Sequence, residues 1–422
     1  MVNGGLEVAD VFRDGALSFL SEYGPTLSRE QRAVLRAVMD CRTPALGGHL
    51  QQCDDCGHQR TQYNSCRNRH CPKCQALARA QWLEARCLEL LPIPYFHTVF
   101  TLPKELGPLA LQNQRLVYGI LFQAAAQTLQ SVAANPQHLG AQIGVLAVLH
   151  TWGQNLMHHP HVHCVVTGGG LSPDRSRWMA CKRSRRRKLH FFLPVRVLSA
   201  VFRGKFIELL KRAFSQGRLN FYGKLACLAQ EAAFEHLLNV SVRKDWVVYA
   251  KRPFGGPEQV LKYLARYTHR VAISNSRLLD LQDGRVRFHY KDYADQQQTK
   301  ILPLSSSEFI RRFLMHTLPS GFVRIRYYGF LANRYRQARL AQCRLLLGVK
   351  TEVPPGPAEP TAPTEVFDPP RKHEICPACG RGRLVIVDAV PAQRPLRPPF
   401  FLSRRPSLAP HLPTSSRAPP TT

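Results

Sequence analysis

Cys53-x2-Cys56 and Cys71-x2-Cys74 stand fourteen residues apart, close to the spacing with which paired thiolates close a tetrahedral zinc site. Polar residues surround them (Asp54, Asp55, His58, Arg67, Asn68, Arg69) and leave little apolar core in which free thiols would be buried. Cys41, His49, Cys66 and His70 are near enough in sequence to complete a second site or to replace a ligand. A further knuckle, Cys376-Pro-Ala-Cys379, has no second Cys-x2-Cys after it, so a site there needs His373 or ligands from elsewhere in the chain. All-thiolate sites leave no open position for water, which marks these zincs as structural. Arg67 and Arg69, interleaved in Cys66-Arg-Asn-Arg-His70, would then face a phosphate backbone.

Two other groups have spacing suited to catalysis. In His161-Val162-His163 the period of a strand puts both imidazoles on one face, where their nitrogens can converge on one cation while Val162 anchors the strand. In Tyr263-Leu-Ala-Arg-Tyr267 a helix puts both hydroxyls on one face about a turn apart, beside Lys262, Arg266 and Arg270. The alternatives are a merely His-rich surface strand, since His158-His159-Pro160 precedes the pair, and an aromatic core stripe.

Charge favours the chemical reading. Lys and Arg number 58 against 28 Asp and Glu, leaving +30, which calls for a polyanionic partner, with nucleic acid first. Lys182-Arg-Ser-Arg-Arg-Arg-Lys188, Arg311-Arg312 and Arg324-Ile-Arg-Tyr-Tyr328 would track phosphates, with aromatics at hand for stacking, or else form solvated faces. No apolar run approaches the ~18 residues of a membrane helix, and Glu7, Asp10, Asp14 and Glu22 stand where a signal peptide would need a basic start and an apolar stretch. A soluble cytoplasmic protein in a reducing compartment is expected.

The elements that must position these groups follow from periodicity. Ser28-x2-Gln31 is a capping pattern that opens a short amphipathic helix through Val34, Leu35 and Val38. Strands are expected at Tyr95–Leu102, Ile143–Leu149 and His161–Val166, the last ending at Gly168-Gly-Gly170. Helices are expected at about 110–132, 197–216, 224–238 and 257–269, with a strand at Trp246–Lys251. The alternation gives a mixed α/β or α+β body. Residues 351–370 hold seven prolines, and 389–422 hold nine prolines, five arginines and no acid, so both read as linker or tail.

Together the histidine pair, the tyrosine pair and the charge suit the cutting of single-stranded DNA. The chain resembles the rolling-circle transposases of insertion-sequence family ninety-one, members of the two-tyrosine HUH endonuclease superfamily. The matching text is Tyr63-Asn-Ser-Cys-Arg-Asn-Arg-His-Cys-Pro-Lys-Cys74, His150-Thr-Trp-Gly-Gln154, His159-Pro-His-Val-His-Cys164 with Gly168-Gly-Gly-Leu171, Tyr263-x3-Tyr267 and Tyr327-Tyr-Gly-Phe-Leu-Ala-Asn333. It spans roughly residues 25 to 385, and nothing beyond about Val390 matches.

The resemblance implies an α+β fold. An N-terminal helix and zinc-binding module (1–91) precedes an HUH nuclease domain with a central antiparallel sheet (92–350), a Pro-rich linker (351–370), a cysteine knuckle (371–388) and a disordered basic tail (389–422). It also implies that His161 and His163 hold a divalent cation, Mg²⁺ or Mn²⁺, with Gln154 as third ligand and His150 and His159 as its rivals. Tyr263 and Tyr267 would be the nucleophiles, giving 5′-phosphotyrosine at element ends. Structural zinc falls to Cys53, Cys56, Cys71, Cys74, Cys376 and Cys379. With no Gly-x4-Gly-Lys-Ser/Thr pattern, ATP binding is not expected and strand separation would come from host helicase or replication proteins. Competing readings are a replication initiator or plasmid relaxase, a non-catalytic zinc-containing DNA-binding protein, and an inactive transposase copy.

Overall fold

The computed structural model describes residues 5–74, 82–181, 193–251, 259, 272–292, 295–349 and 374–393. Three antiparallel sheets organise them, giving an α+β architecture. Helix α1 (Val8–Tyr23) is followed by α2 (Arg29–Asp40), which begins at the expected capping box: Ser28 Oγ accepts from the Gln31 amide, and Gln31 Oε1 from the Ser28 amide. Strands β1 (Gly48–Cys53) and β2 (Gln59–Tyr63) form a hairpin.

The main sheet runs in the order β11-β4-β5-β3-β7. Its strands are β3 (Tyr95–Thr101), β4 (Gln142–Trp152), β5 (His158–Leu171), β7 (Val248–Lys251) and β11 (Ile325–Gly329), with β6 (Trp178–Ala180) paired to the end of β5. One face carries Phe100, Val145, Ala147, Leu149, Val162, Cys164 and Val166 and packs on two helices, α4 (Gln114–Ala134) and α5 (Val195–Ser215). The long helix expected at 110–132 is divided at Asn113, whose side chain bonds the carbonyl and amide of Asn220, so α3 (Gly107–Gln112) stands apart from α4. Helix α6 (Glu231–Val242) follows a 3-10 turn, Gly223–Ala229.

Strand β5 does not stop at the glycines, as periodicity suggested, but passes through them to Leu171. A Cβ on Gly170 would lie 2.2 Å from the Gln142 carbonyl oxygen, so the residues that look like a strand terminator are what lets β5 run this close to β4.

The third sheet, β8 (Leu278–Gln282), β9 (Arg285–Asp292) and β10 (Gln298–Ser305), leads into α7 (Ser306–Leu314). Phe288, Phe309 and Phe313 pack there with Phe12, Phe19, Leu35 and Val38 of α1 and α2 in one core. The N-terminal helices therefore share their interior with residues far along the chain. Helix α8 (Arg336–Leu346) covers the end of the main sheet near Leu146 and Val165. The final strand, β12 (Leu384–Val390), returns to pair antiparallel with β1. The tail expected from 389 includes Ala389 and Val390, which instead belong to this strand. The expected linker at 351–370 and the expected helix at 257–269, apart from Gln259, lie outside the described residues.

Candidate functional site

The pairing of β4 with β5 sets His150 opposite His161 and Val148 opposite His163. Because alternate residues share a face, His150, His161 and His163 emerge together on the side of the sheet away from α4 and α5. One ring nitrogen from each falls in a group whose atoms lie within 4.8 Å of one another. Ring centroids are 4.3 Å apart for His150 and His163 and 4.8 Å for His161 and His163. His150 and His163 are buried, 2% and 7% exposed, while His161 is half-buried at the open side.

Each ring is oriented from behind. His161 Nδ1 bonds the His159 carbonyl oxygen at 2.6 Å, which keeps its lone pair on Nε2. His163 Nδ1 lies 2.8 Å from Nε2 of His97, a buried β3 residue set beside the same face. His150 stacks on Trp152, with centroids 4.8 Å apart. Burial lowers the His161 pKa to about 4, so its imidazole is neutral near pH 7, as a metal ligand must be. The arrangement fits a divalent cation: three imidazole nitrogens converge on one point. Imidazole nitrogens suit zinc-like metals better than magnesium.

Of the candidates for a third ligand, it is His150 that falls in the same group as the pair. Gln154 sits in the turn between the strands, its main-chain carbonyl held by Arg277 Nη2 at 2.5 Å, whereas His150 is in register with the pair. His159 orients His161 through its carbonyl. His97 was not foreseen, because the cross-strand partner of a lone strand histidine depends on register rather than local spacing.

The cysteines separate into two tetrads: Cys41, Cys66, Cys71 and Cys74, and Cys53, Cys56, Cys376 and Cys379. The expected union of Cys53-x2-Cys56 with Cys71-x2-Cys74 does not occur. Cys53 and Cys56 are at the tip of the β1–β2 hairpin, while Tyr63 is paired with Gly48 at its base, five residues and about 17 Å away, and the 64–74 loop starts from that base. There Cys41, at the end of α2, meets Cys66, Cys71 and Cys74. Sγ separations of 3.5 Å for Cys41–Cys74 and Cys66–Cys74 are near the ~3.8 Å edge of a tetrahedron with ~2.3 Å metal–sulfur bonds. Hydrogen bonds from Cys66 and Cys71 pull the Cys41 thiol down to about 2, and the same contacts drive Cys66 up, so without metal one thiolate is shared among protonated neighbours. His49 stands on β1 and belongs to neither tetrad.

This first tetrad braces the histidine strands. His70 Nε2 accepts from the Leu318 amide at 3.2 Å, and Cys41 and Cys71 share a core with Leu156, in the β4–β5 turn. Arg69, expected to face phosphate, instead donates to the carbonyl oxygens of Phe322 (2.6 Å) and Pro319 (2.9 Å). Arg67 is exposed. Arg311 and Arg312 both pair with Glu308, and Arg326 lies over the Phe122 ring at 4.3 Å. Lys262, Tyr263, Arg266, Tyr267, Arg270 and the 182–188 basic run lie outside the described residues.

A family model described as "Putative transposase" matches residues 144–339, which include all three histidines, and one described as "Transposase zinc-binding domain" matches residues 11–102. The chain is 54% identical over 395 residues to "Putative transposase y4qJ" of Sinorhizobium fredii, covering 92% of this chain and 96% of that protein. It is 31% identical over 368 residues to the transposase for insertion sequence element IS801 of Pseudomonas savastanoi pv. phaseolicola, covering 84% of this chain and 82% of that one. A solved conjugative relaxase TrwC in complex with oriT DNA aligns over 40% of this chain and 69% of that one, with 16% identity and a TM-score of 0.22, too low a score to define a shared fold. Among the described residues no helix is long and apolar enough to cross a membrane.

Proposed function

Because the chain belongs to the transposases of insertion-sequence family ninety-one, with an N-terminal zinc-binding domain, we propose that it nicks and rejoins single-stranded DNA at the ends of its element by tyrosine attack. The observation that carries this reading is the convergence of His150, His161 and His163 on one face of the main sheet. These residues would hold a divalent cation, Mg²⁺ or Mn²⁺ as in the superfamily, which when bound supplies positive charge beside the scissile phosphate.

The protein's own groups then do the following. His97 and the His159 carbonyl hold the rings of His163 and His161 in place. Tyr263 or Tyr267, as phenolate, forms a bond to phosphorus while the bond to the 3′ oxygen breaks; that oxygen takes up a proton, and the 5′ end stays on the tyrosine. A phosphodiester is exchanged for a phosphodiester, so rejoining by a 3′-hydroxyl needs no ATP. A phenol with an ordinary pKa of ~10 needs nearby positive charge to ionise, a role suited to Lys262, Arg266 and Arg270. Two tyrosines allow two strands to be held at once. With no phosphate-binding loop in the sequence, strand separation is left to host helicase or replication proteins.

The zinc of the N-terminal domain is assigned to Cys41, Cys66, Cys71 and Cys74, where it fixes the loop that carries Arg69 and His70 against residues 318–322. The test is a denaturing gel with labelled single-stranded DNA carrying candidate element ends. A covalent adduct should form with Mn²⁺ or Mg²⁺, vanish with EDTA, and vanish in Tyr263→Phe/Tyr267→Phe and in His161→Ala/His163→Ala. DNA that is bound on every end sequence but never attached or cut would refute the nuclease and leave a binding protein or an inactive copy.

A further inference from the structure

The second tetrad lies partly outside the zinc-binding family match, which ends at residue 102, whereas Cys376 and Cys379 are near the other end of the chain. We propose that Cys53, Cys56, Cys376 and Cys379 hold a second structural zinc ion, and that this ion clasps the C-terminal segment onto the N-terminal module.

The two halves of the site are built alike. Each is Cys-x2-Cys-Gly, and the glycines, Gly57 and Gly380, have φ of +70° and +69°, a left-handed turn that a side chain would strain. In each the glycine amide bonds the carbonyl of the first cysteine, Gly57 to Cys53 at 3.2 Å and Gly380 to Cys376 at 2.9 Å. Main-chain amides point at sulfur in both: Asp55 at Cys53 Sγ (3.4 Å), Ala378 at Cys376 Sγ (3.4 Å) and Gly382 at Cys379 Sγ (3.3 Å). Such donors favour thiolate, the form that binds metal. Across the halves Cys53 and Cys379 are 3.8 Å apart and Cys56 and Cys376 3.7 Å, matching the ~3.8 Å tetrahedral edge and far from the ~2.05 Å of a disulfide.

The backbone around the site is arranged for the same union. Strand β12 pairs with β1 from Gly48–Val390 to Cys53–Leu384. Arg383 donates its amide to Asp54 Oδ1 at 2.7 Å and accepts from the Asp54 amide at 3.1 Å, and Arg60 pairs with Glu374 at 2.5 Å. Some 320 residues separate the two knuckles in sequence, so the ion closes a loop that contains the whole histidine-bearing body. The two sites also differ in access. Cys41 and Cys71 are 0% and 1% exposed, whereas Cys56 is on the surface, so the second ion should leave first.

Cobalt titration of the full chain tests the site, because Co²⁺ in a tetrathiolate site absorbs strongly in the visible. In a His161→Ala/His163→Ala background, which leaves the two thiolate sites, the absorbance should level off at two equivalents and at one once Cys376→Ser/Cys379→Ser is added, while Cys379→His, which keeps a ligand, should restore the second at altered wavelength. One equivalent with and without the serine pair alike would overturn the site. For the clasp, a specific protease sequence is placed within 351–370, the zinc-loaded protein is cut, and gel filtration asks where the C-terminal fragment runs. It should stay with the body until a chelator has withdrawn the first equivalent of zinc, and then separate. A fragment that leaves while both ions are bound, or that stays once the first is gone, would overturn the clasp.

Discussion

His97 touches no proposed cation, yet its Nε2 is 2.8 Å from His163 Nδ1, and partners of this kind set the tautomer and aim of a ligating ring. His97→Phe should weaken Mn²⁺ binding by about 10–100-fold in a calorimetric titration, with an unchanged melting temperature in metal-free buffer. His316 carries a different kind of burden. It bridges Thr151 Oγ1 (3.2 Å) and the Leu156 carbonyl (3.0 Å), pinning both sides of the β4–β5 turn, and burial lowers its pKa from 6.5 to about 3. A base lowered in the folded state binds its proton more readily when unfolded. Its stabilising contribution is therefore complete above pH 6.5 and is lost progressively as pH falls toward 3. Urea midpoints at pH 7 and pH 4.5 should fall further in the native protein than in His316→Gln, by an amount on the order of 2 kcal/mol. Equal falls would show that His316 is not the titrating group.

The loop at 64–74 acts as an element because its polar side chains are spent on the body rather than on solvent. Arg69 bonds carbonyls of the 318–322 segment, so Arg69→Ala should cost about 1–3 kcal/mol of stability. It should leave unchanged the slope of log affinity for single-stranded DNA against log salt, whereas loss of a true phosphate contact lowers that slope by about 0.7. This contrast marks what could be read from sequence. The histidine pair was legible because a strand's period of two is local, and the capping box at Ser28 because a helix start is local too. His150 was a rival rather than the choice because its place depends on which strand lies beside β5 and in what register. Arg69 looked like a phosphate ligand because its carbonyl partners are some 250 residues away. The cysteines misled for the same reason: neighbouring Cys-x2-Cys pairs read as one site, but the hairpin holds their ends apart, and each pair finds its partners elsewhere.

Among the described residues, early and late segments of the chain are structural partners. Phe12 of α1 meets Phe313 of α7 edge-on at 5.1 Å, and Ser306 Oγ donates to Asp14 Oδ2 at 2.5 Å, so the N-terminal helices are part of the body's own core. A division at residue 91 describes the order of motifs along the chain better than it describes packing. Strand β12 occupies one edge of β1 while β2 occupies the other. A chain ending at residue 372 would therefore expose a row of unpaired amides and carbonyls along β1, a template on which another polypeptide can lay a strand. Such a truncated protein should sediment as concentration-dependent multimers where the full chain does not, and Lys in place of Gln51 should suppress them. The returning strand thus acts as a guard against self-association, and a ribosome delivers it only after the other strands among the described residues have been made.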